Sequence, residues 1–457
     1  MNAVGDHIKI FSLPEAIMSC EERLHTIGKD PLSPMRLTFR IEPQNLLLWL
    51  DGQKNPVKIF WSDRDASFTT AGIGTAYLFE ANEDADYQFL EQILHEKLAD
   101  VIKLRCYGGI CFDPENGGEE WRSFGIARFV IPRFEIYTEA EACYLACNLI
   151  GDEHKRGAWP QVLKELREIV VDCNRPLPSR APFVERQDLP SPAEWAKNIE
   201  AVLKSCANHE FEKIVLARKS MFVFPHAPNP FSIMEGLSRM VAHCFLFLFQ
   251  FQKGQIFLGA SPERLYKREE NVLQTEAIAG TRPRGSTAQE DEKFVQDLLH
   301  SAKDAYEHQI VVDMVCEQLT SLCSFWEGDP QPILLHLKEG HHLISRFEGQ
   351  LKEGTPDAKI LSSFHPTPAV AGHPTDRALP EIRQREPFSR GWYSGPVGYV
   401  SRKESEFVVA IRSGLLNGKT LSLFAGAGIV DGSNAQSEWE EVESKLGGFL
   451  KVFDDER

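Results

Sequence analysis

Two residues of the sequence have the chemistry of a proton-transfer pair. Lys213 opens the apolar strand pattern of FEKIVLARKS, and Glu263 follows the apolar stretch of FLGASPERL at a sharp turn. An amine on an apolar strand face can act as a general base, and a carboxyl group held away from water can stay protonated and act as an acid. The alternatives are a lysine that reaches out to water and an ordinary Glu–Arg pair at the surface.

Two pairs of acidic residues have the spacing of one helix face. Asp304 and Glu307 are three positions apart in SAKDAYEHQIVVD, and Glu438 and Glu441 are three apart in QSEWEEVESK. Residues at this spacing share a helix face, so each pair can present two carboxylates to one point. Carboxylate ligands together with water and substrate oxygens suit Mg²⁺. A solvated helix face is the alternative for either pair.

Three further segments have features of an anion-binding site. Gly280 and Thr281 lie in AIAGTRPRG, where glycines stand beside two arginines, and Gly426 lies in AGAGIV after a predicted strand. Flexible backbone beside cationic side chains suits an anion. Arg412 lies inside the apolar pattern FVVAIRS, which we interpret as a strand. A buried arginine needs a partner, and a carboxylate of the protein or of a substrate is the natural one.

The elements that must position these residues are strands and helices mixed without strict alternation. We predict a strand over Phe211–Ala217, a capped helix start at Ser191, and long helices over Gln289–Leu322 and Ser437–Phe449. A strand-rich N-terminal region covers residues 1–175, a proline-rich connector covers 176–192, and a catalytic region covers 193–457. The pattern indicates an α+β fold with large, mostly antiparallel sheets.

Composition excludes several classes of protein. The 457 residues include 50 Lys plus Arg against 66 Asp plus Glu, and the net charge of −16 disfavours nucleic acid and anionic lipid as partners. The longest apolar run, Cys244–Phe249, is far shorter than the roughly 20 residues that span a bilayer. The start, MNAVGDHIKIF, lacks the pattern of a secretory signal. Ten cysteines without a CxxC pair indicate reduced, mostly buried thiols, and we expect a cytoplasmic protein.

The order of the motifs resembles one enzyme family. The segments KIVLAR, GASPERL, AGTRPRG, AYEHQIVVD, HPTPAVAG, FVVAIRSG, FAGAGIV and EWEEVESK follow one another as in the chorismate-binding enzymes, over about residues 195–450. That family includes isochorismate synthase, anthranilate synthase component I, aminodeoxychorismate synthase and salicylate synthase. The resemblance implies large, mostly antiparallel sheets packed as a sandwich with helices outside.

Within the family, a few positions point to isochorismate formation. Lys213 stands where the amide-using synthases have Gln, Ala279 stands where aminodeoxychorismate synthase has a nucleophilic Lys, and HPTPAVAG is similar to the isochorismate synthase version of its segment. The resemblance therefore implies a reversible, Mg²⁺-dependent conversion of chorismate to isochorismate, in which water adds at C2 and the C4 hydroxyl leaves. We expect a monomer that has no glutaminase subunit.

The resemblance also implies a role for each candidate residue. It makes Lys213 the base and Glu263 the acid. The implied Mg²⁺ ligands are Glu307 and Glu441, with Glu438 and Asp304 as nearby support. The implied substrate-binding residues are Gly280, Thr281, His365, Ile411, Arg412, Gly426 and Lys445.

Three other functions remain open at this stage. A salicylate synthase would go on to release pyruvate, a non-catalytic homologue would only bind chorismate, and an anthranilate-type subunit would need a glutaminase. Intact Lys213, Glu263, Glu307 and Glu441 disfavour the non-catalytic homologue. Menaquinone, siderophore and salicylate pathways all begin at isochorismate, and the sequence favours none of them.

Overall fold

The computed structural model describes most of the chain. Its described residues are 9–27, 34–81, 87–98, 101, 103–150, 159–173, 175–338 and 340–453. Most of the start on which the leader expectation rests, residues 1–8, lies outside them. Among the described residues, no helix combines the length and the apolar character needed to cross a membrane. All ten cysteines are free thiols, and eight of them are buried.

Helices of the described residues are distributed along the whole chain. They are α1 (Leu13–Ile27), α2 (Leu46–Gly52), α3 (Phe89–Gln92, followed by a π-helical turn over Ile93–Leu98), α4 (Trp159–Arg167), α5 (Pro192–Ala207), α6 (Pro230–Met240), α7 (Ala288–Leu299), α8 (Ala302–Leu322), α9 (Asp357–Phe364), α10 (Thr375–Arg385) and α11 (Ala435–Leu450). Short 3₁₀ turns cover Glu119–Trp121 and Lys451–Phe453.

The strands lie between these helices. They are β1 (Met35–Ile41), β2 (Lys58–Ser62), β3 (Phe68–Ile73), β4 (Tyr77–Ala81), β5 (Cys106–Ile110), β6 (Ala127–Ile131), β7 (Phe134–Glu139), β8 (Ala142–Leu149), β9 (Glu185–Leu189), β10 (Lys213–Val223), β11 (Phe245–Gln252), β12 (Gln255–Ser261), β13 (Arg264–Glu269), β14 (Val272–Pro283), β15 (Cys323–Gly328), β16 (Ile333–His336), β17 (Gly340–Leu351), β18 (Gly372–His373), β19 (Pro396–Val400), β20 (Glu404–Val409), β21 (Ser413–Asn417) and β22 (Thr420–Ile429).

Among the described residues these strands form two large sheets. The 12-stranded sheet has the order β1-β8-β7-β3-β2-β11-β12-β21-β22-β10-β18, with β9 paired to β10. The 10-stranded sheet has the order β15-β17-β14-β13-β20-β19-β5-β6-β4, with β16 paired to β17. Neighbouring strands pair antiparallel, as β10 does with β22 and β14 with β17. The predicted α+β fold with large antiparallel sheets is confirmed.

An aromatic layer joins the two sheets face to face. Trp61 of the first sheet stands edge-on to Tyr399 of the second, with ring centroids 5.9 Å apart, and Phe68 contacts the same ring at 6.2 Å. Buried aromatic rings supply large apolar areas and favour such edge-to-face pairs. The helices pack on the outer faces: α5 and α11 lie on β22, and α8 lies on β14. The predicted sandwich with outer helices is therefore present.

Both sheets combine strands from distant parts of the sequence. The larger sheet includes β1, β2, β3, β7 and β8 from the N-terminal region, and the smaller sheet includes β4, β5 and β6. The proline-rich connector lies against the catalytic region, because Ser232 at the start of α6 donates a hydrogen bond to the carbonyl of Pro178 at 2.7 Å. Strand pairing thus ties the N-terminal region to the region that carries the motifs.

Two local predictions differ from the structure. The helix predicted over Gln289–Leu322 is two helices, because Ser301 caps a new N-terminus by accepting the backbone N–H of Asp304 at 3.2 Å. The strand interpretation of FVVAIRS is wrong at Arg412. The chain leaves β20 after Val409, and Arg412 has a φ of +49° before β21 begins. A left-handed residue cannot continue a strand.

Candidate active site

A cavity opens where the catalytic motifs meet. Its empty volume is about 830 Å³, including the part that is open to solvent. The side chains and backbone around it come from β10, β14, β17, β22, α8 and α11, from the turns that follow β12 and β20, and from the segments that follow α9 and α10. The lining residues are Lys213, Val215, Pro262, Glu263, Ile278, Ala279, Gly280, Thr281, Glu307, His342, Ala369, Val370, Tyr393, Ile411, Arg412, Ala425, Gly426, Gly428, Glu441 and Lys445.

Lys213 forms an ion pair on the cavity wall. Its Nζ lies 2.8 Å from Oε1 of Glu307, and only 1% of its side chain is exposed. Burial tends to raise the pKa of Glu307, but the charges of Lys213 and two other lysines outweigh it and lower that pKa below its usual value. The base and metal-ligand candidates are therefore direct neighbours, although 94 positions separate them in the sequence.

A glycine makes room for this ion pair. Gly428 of β22 lies opposite Val215 in the register with β10. A Cβ atom at Gly428 would lie 2.5 Å from Oε1 of Glu307 and 2.9 Å from Cε of Lys213. Any side chain at position 428 would push the pair apart, so the second glycine of AGAGIV has a steric function that the sequence analysis missed.

Glu263 has the opposite electrostatic setting. It is buried on the turn after β12, where its backbone N–H donates to Oγ of Ser261 at 3.2 Å and its carbonyl accepts the N–H of Val409 at 3.1 Å. Burial, followed by the nearby negative charge of Glu276, raises the pKa of Glu263 to about 8. A carboxyl group with this pKa holds its proton at neutral pH and can donate it.

Arg412 and Thr281 meet at a histidine that the sequence analysis did not single out. His342 lies opposite Thr281 in the pairing of β17 with β14. Nη2 of Arg412 lies 2.9 Å from Nε2 of His342, and Oγ1 of Thr281 lies 3.1 Å from Nδ1. Because a guanidinium group only donates, Nε2 accepts and the ring proton is on Nδ1.

His342 is a neutral ring in this setting. Burial, together with the charges of Arg412 and Lys445, lowers the pKa of His342 well below its usual value. Arg412 lines the cavity beside this ring. A pair of adjacent histidines inside the apolar strand pattern GHHLI was the available signal, since buried polar residues are uncommon.

Lys445 connects two other parts of the wall. Its Nζ donates to the carbonyl of Gly426 at 2.9 Å and lies 2.8 Å from Oε1 of Glu441, one helical turn earlier on α11. Burial tends to lower the pKa of Lys445, but the charge and hydrogen bond of Glu441 and the charge of Glu307 raise it above its usual value. Because both carboxylates influence this one amine, Glu307 and Glu441 face the same part of the cavity.

Three candidate residues do not line the cavity. Glu438 is buried beside it and accepts a hydrogen bond from Lys303 at 2.8 Å, and burial together with the charge of Glu441 raises its pKa. Asp304 is held by both Nη atoms of Arg282, at 3.2 and 2.7 Å.

His365 also lies outside the cavity. It is buried, and its ring stands edge-on to Phe112 at a centroid distance of 6.2 Å. The HPTPAVAG segment lines the cavity instead through Ala369 and Val370.

The carboxylates of the cavity suit the Mg²⁺ that the sequence pattern suggests. Among the described residues, no three or more His, Cys, Asp or Glu side chains lie close enough together to hold a metal ion by themselves. Glu307 and Glu441 nevertheless both face the cavity with carboxylate oxygens. Mg²⁺ is commonly bound by one or two carboxylates, with water and substrate oxygens completing its shell. These residues fit that ion.

Comparison with known proteins identifies the family of the chain. The family model described as "Chorismate binding enzyme" matches residues 24–454. The chain is 31% identical to isochorismate synthase MenF of Bacillus subtilis over 88% of each chain. It is 32% identical to isochorismate synthase MenF of Escherichia coli, over 88% of this chain and 89% of the relative.

A solved structure has a similar fold. That structure, of MenF, the menaquinone-specific isochorismate synthase from Escherichia coli, matches with a TM-score of 0.84 at 28% identity. The match covers 96% of this chain and 99% of that chain. From the order of its motifs, its two-sheet fold and these matches, the chain belongs to the family of chorismate-binding enzymes.

Proposed function

We propose that this protein is an isochorismate synthase, an isomerase that converts chorismate to isochorismate reversibly and requires Mg²⁺. The observation that carries the proposal is that a buried lysine, Lys213, and a buried carboxyl group, Glu263, line one cavity, where burial raises the pKa of Glu263 to about 8. Moving a hydroxyl group from one ring carbon to another needs a base to activate water and an acid to release the old hydroxyl. The names of the relatives support the same activity.

The proposed step balances without any outside reagent. Lys213, in its neutral form, takes a proton from water, whose oxygen bonds to C2 of the ring. The C1=C2 electron pair moves to C1–C6, the C5=C6 pair moves to C4–C5, and the C4–O bond breaks. Glu263 protonates the leaving oxygen, so that one water enters and one water leaves. Because similar bonds form and break, we expect the reaction to be freely reversible.

Other residues of the cavity would hold the substrate in place. Glu307 and Glu441, with Glu438 beside them, would hold Mg²⁺, whose charge when bound neutralises the ring carboxylate. Arg412 and the backbone at Gly426 would hold the carboxylate of the enolpyruvyl arm.

The remaining cavity residues would shape the pocket. Thr281 has its hydroxyl proton available for the substrate, because His342 Nδ1 is itself a donor. Gly280, Ile411 and Lys445 would line the pocket beside it. His365 would act only at a distance, by supporting the segment that carries Ala369 and Val370.

Two observations favour water over ammonia as the nucleophile. Ala279 lies on the cavity wall, so no amine stands at the position where aminodeoxychorismate synthase has its nucleophilic lysine. Lys213 takes the position at which the amide-using synthases have glutamine. These two residues favour an enzyme without a glutaminase subunit. We further propose that the protein is monomeric and cytoplasmic and that residues 193–457 carry its chemistry.

One experiment tests the proposal directly. Purified protein is incubated with chorismate and MgCl₂, the products are separated, and pyruvate is followed with lactate dehydrogenase. We expect isochorismate to accumulate beside unconsumed chorismate, the same mixture to form from isochorismate, and pyruvate to stay at the uncatalysed rate. Stoichiometric pyruvate with salicylate would make the protein a salicylate synthase, and anthranilate formed from added ammonium would make it an amide-type subunit.

A further inference from the structure

A buried ion pair stands behind the turn that carries Glu263. Glu276 of β14 and Arg64, which follows β2, face each other with 2% and 14% of their side chains exposed. Nη1 of Arg64 donates to Oε2 of Glu276 at 3.1 Å, and Nη2 donates to Oε1. The two residues are 212 positions apart, and Arg64 comes from the N-terminal region.

Both members of the pair also bind the backbone of the turn. Nη2 of Arg64 donates to the carbonyl of Pro262 at 2.6 Å, and Oε1 of Glu276 accepts the backbone N–H of Arg264 at 2.8 Å. The residues on either side of Glu263 are thus both tied to one ion pair. A two-pronged arginine–carboxylate contact fixes orientation as well as distance.

The charge of Glu276 also reaches Glu263. The charged groups that face Glu263 are Glu276 from β14, Lys213 from β10, Lys445 from α11 and Arg412 from the segment between β20 and β21. Glu276 is the negative member of this set, and the three cations oppose it.

We infer that Arg64 and Glu276 are positioning residues for Glu263, which hold its turn in place from both sides and set a carboxylate behind it. The inference rests on the proposed function, in which Glu263 is the acid. It also gives the N-terminal region a role in the reaction, since Arg64 acts across the sheet sandwich. Neither residue lines the cavity, so neither would touch the substrate.

Glu276→Gln is the decisive variant. It keeps an oxygen for the hydrogen bonds and removes the negative charge, so Glu263 should lose its proton at lower pH. We expect the alkaline limb of the kcat–pH profile, at saturating chorismate and Mg²⁺, to move about one pH unit towards acid. The KM for chorismate should stay within about twofold. A structural role alone would lower the amount of folded protein and leave the limb in place.

Arg64→Lys provides the second test. The lysine keeps the positive charge but cannot reach both Glu276 and Pro262 with one planar group. We expect kcat to fall about tenfold with little change in KM or in the alkaline limb. Arg346→Ala is the matched control, because Arg346 lies opposite Glu276 in the register with β17 and is exposed. It should change neither constant.

The outcomes separate the inference from the proposed function. A wild-type protein that makes no isochorismate contradicts the proposed function. A wild-type protein that turns over, together with a folded Glu276→Gln variant whose alkaline limb is unchanged, overturns the inference alone. If Glu276→Gln does not fold, Arg64→Lys decides: a wild-type kcat rejects the positioning role, and a tenfold loss at constant KM supports it.

Discussion

Glu263 and Glu307 lie on the wall of the same cavity, yet their protonation behaviour is opposite. Burial raises the pKa of Glu263 to about 8, and its strongest charged neighbour is another carboxylate, Glu276. Burial also acts on Glu307, but Lys213 beside it lowers the pKa below the usual value. Burial raises the pKa of both carboxyl groups, and the local charges decide whether that effect survives. At Glu307 the charge and hydrogen bond of Lys213 outweigh burial, whereas at Glu263 the surrounding cations do not.

The difference divides the cavity into two chemical sides. On one side, lysines and carboxylates face each other in pairs, Lys213 with Glu307 and Lys445 with Glu441. On the other side, Glu263 keeps a proton that it can give away. Pairs of titratable groups whose surroundings separate their pKa values are typical of acid–base enzymes. Single substitutions can change either the lysine–carboxylate pairs or Glu263 alone.

The largest effect should come from removing the amine of Lys213. In Lys213→Ala, we expect isochorismate formation to fall by roughly 10²–10⁴-fold, because a general base contributes about that much. Chorismate should still bind, since Arg412 and Thr281 are unchanged, and isothermal titration would measure that binding. Lys219→Met is the matched control: Lys219 is buried on the same strand but pairs with Glu120 away from the cavity. Near-normal turnover of Lys213→Ala would remove Lys213 from the mechanism.

Glu263→Gln removes the proposed proton donor. The amide keeps the shape of the side chain but has no acidic proton, so turnover should fall by about 10²-fold or more at every pH. Its dependence on Mg²⁺ should stay as in the wild type, because Glu263 is not a metal-ligand candidate. Glu269→Gln, at the exposed end of β13, is the control. Full activity of Glu263→Gln would assign the acid to another group.

Only substitutions of the proposed metal ligands, Glu307 and Glu441, should change the Mg²⁺ dependence. EDTA should stop turnover and Mg²⁺ should restore it. In Glu441→Ala and Glu307→Ala, the Mg²⁺ concentration at half-maximal rate should rise by about 10–100-fold, because each variant loses one carboxylate ligand. Glu440→Ala, the exposed neighbour on α11, should respond as the wild type does. Metal-independent turnover, or an unchanged requirement in both variants, would contradict the site.

The smallest expected effect is on the melting temperature, which Glu263→Gln should raise and Glu307→Gln should lower. Between the ordinary pKa of a glutamate, near 4.5, and about 8, folded Glu263 keeps a proton that the unfolded chain has released. Stability from this group is therefore lost as the pH rises through that window. We expect Glu263→Gln to melt a few degrees above the wild type at pH 8.5, with the difference shrinking towards pH 5.

Glu307→Gln should shift the melting temperature the other way. The substitution leaves the buried amine of Lys213 without its carboxylate partner, and an unpaired buried charge destabilises the folded state. Without added Mg²⁺ at pH 7, we expect this variant to melt below the wild type. Differential scanning calorimetry of Glu263→Gln and Glu307→Gln measures both shifts. A shift of the same sign in both variants would contradict the difference between the two carboxyl groups.

Local features of the fold were predictable because they depend on neighbouring residues. The capped start at Ser191 is present, with Glu194 completing the capping box. Gly280 has a φ of +74° at the irregularity of β14, as a glycine beside a bend permits. The break at Ser301 between α7 and α8 was missed, although serine is a good helix cap, because the apolar pattern continues across it.

Spacing and side-chain chemistry are local properties, so the sequence by itself determined the fold class and the order of the motifs. The family resemblance of those motifs added ten of the 20 residues of the cavity wall. Only the tertiary structure decided which of these residues touch. The pairing of β10 with β22 and the packing of α8 bring Lys213 to Glu307 at Gly428, and the turn after β2 sets Arg64 against Glu276 of β14. Distances between residues far apart in sequence depend on the whole packed sandwich. The pKa of Glu263 depends on those distances and could not be read from spacing alone.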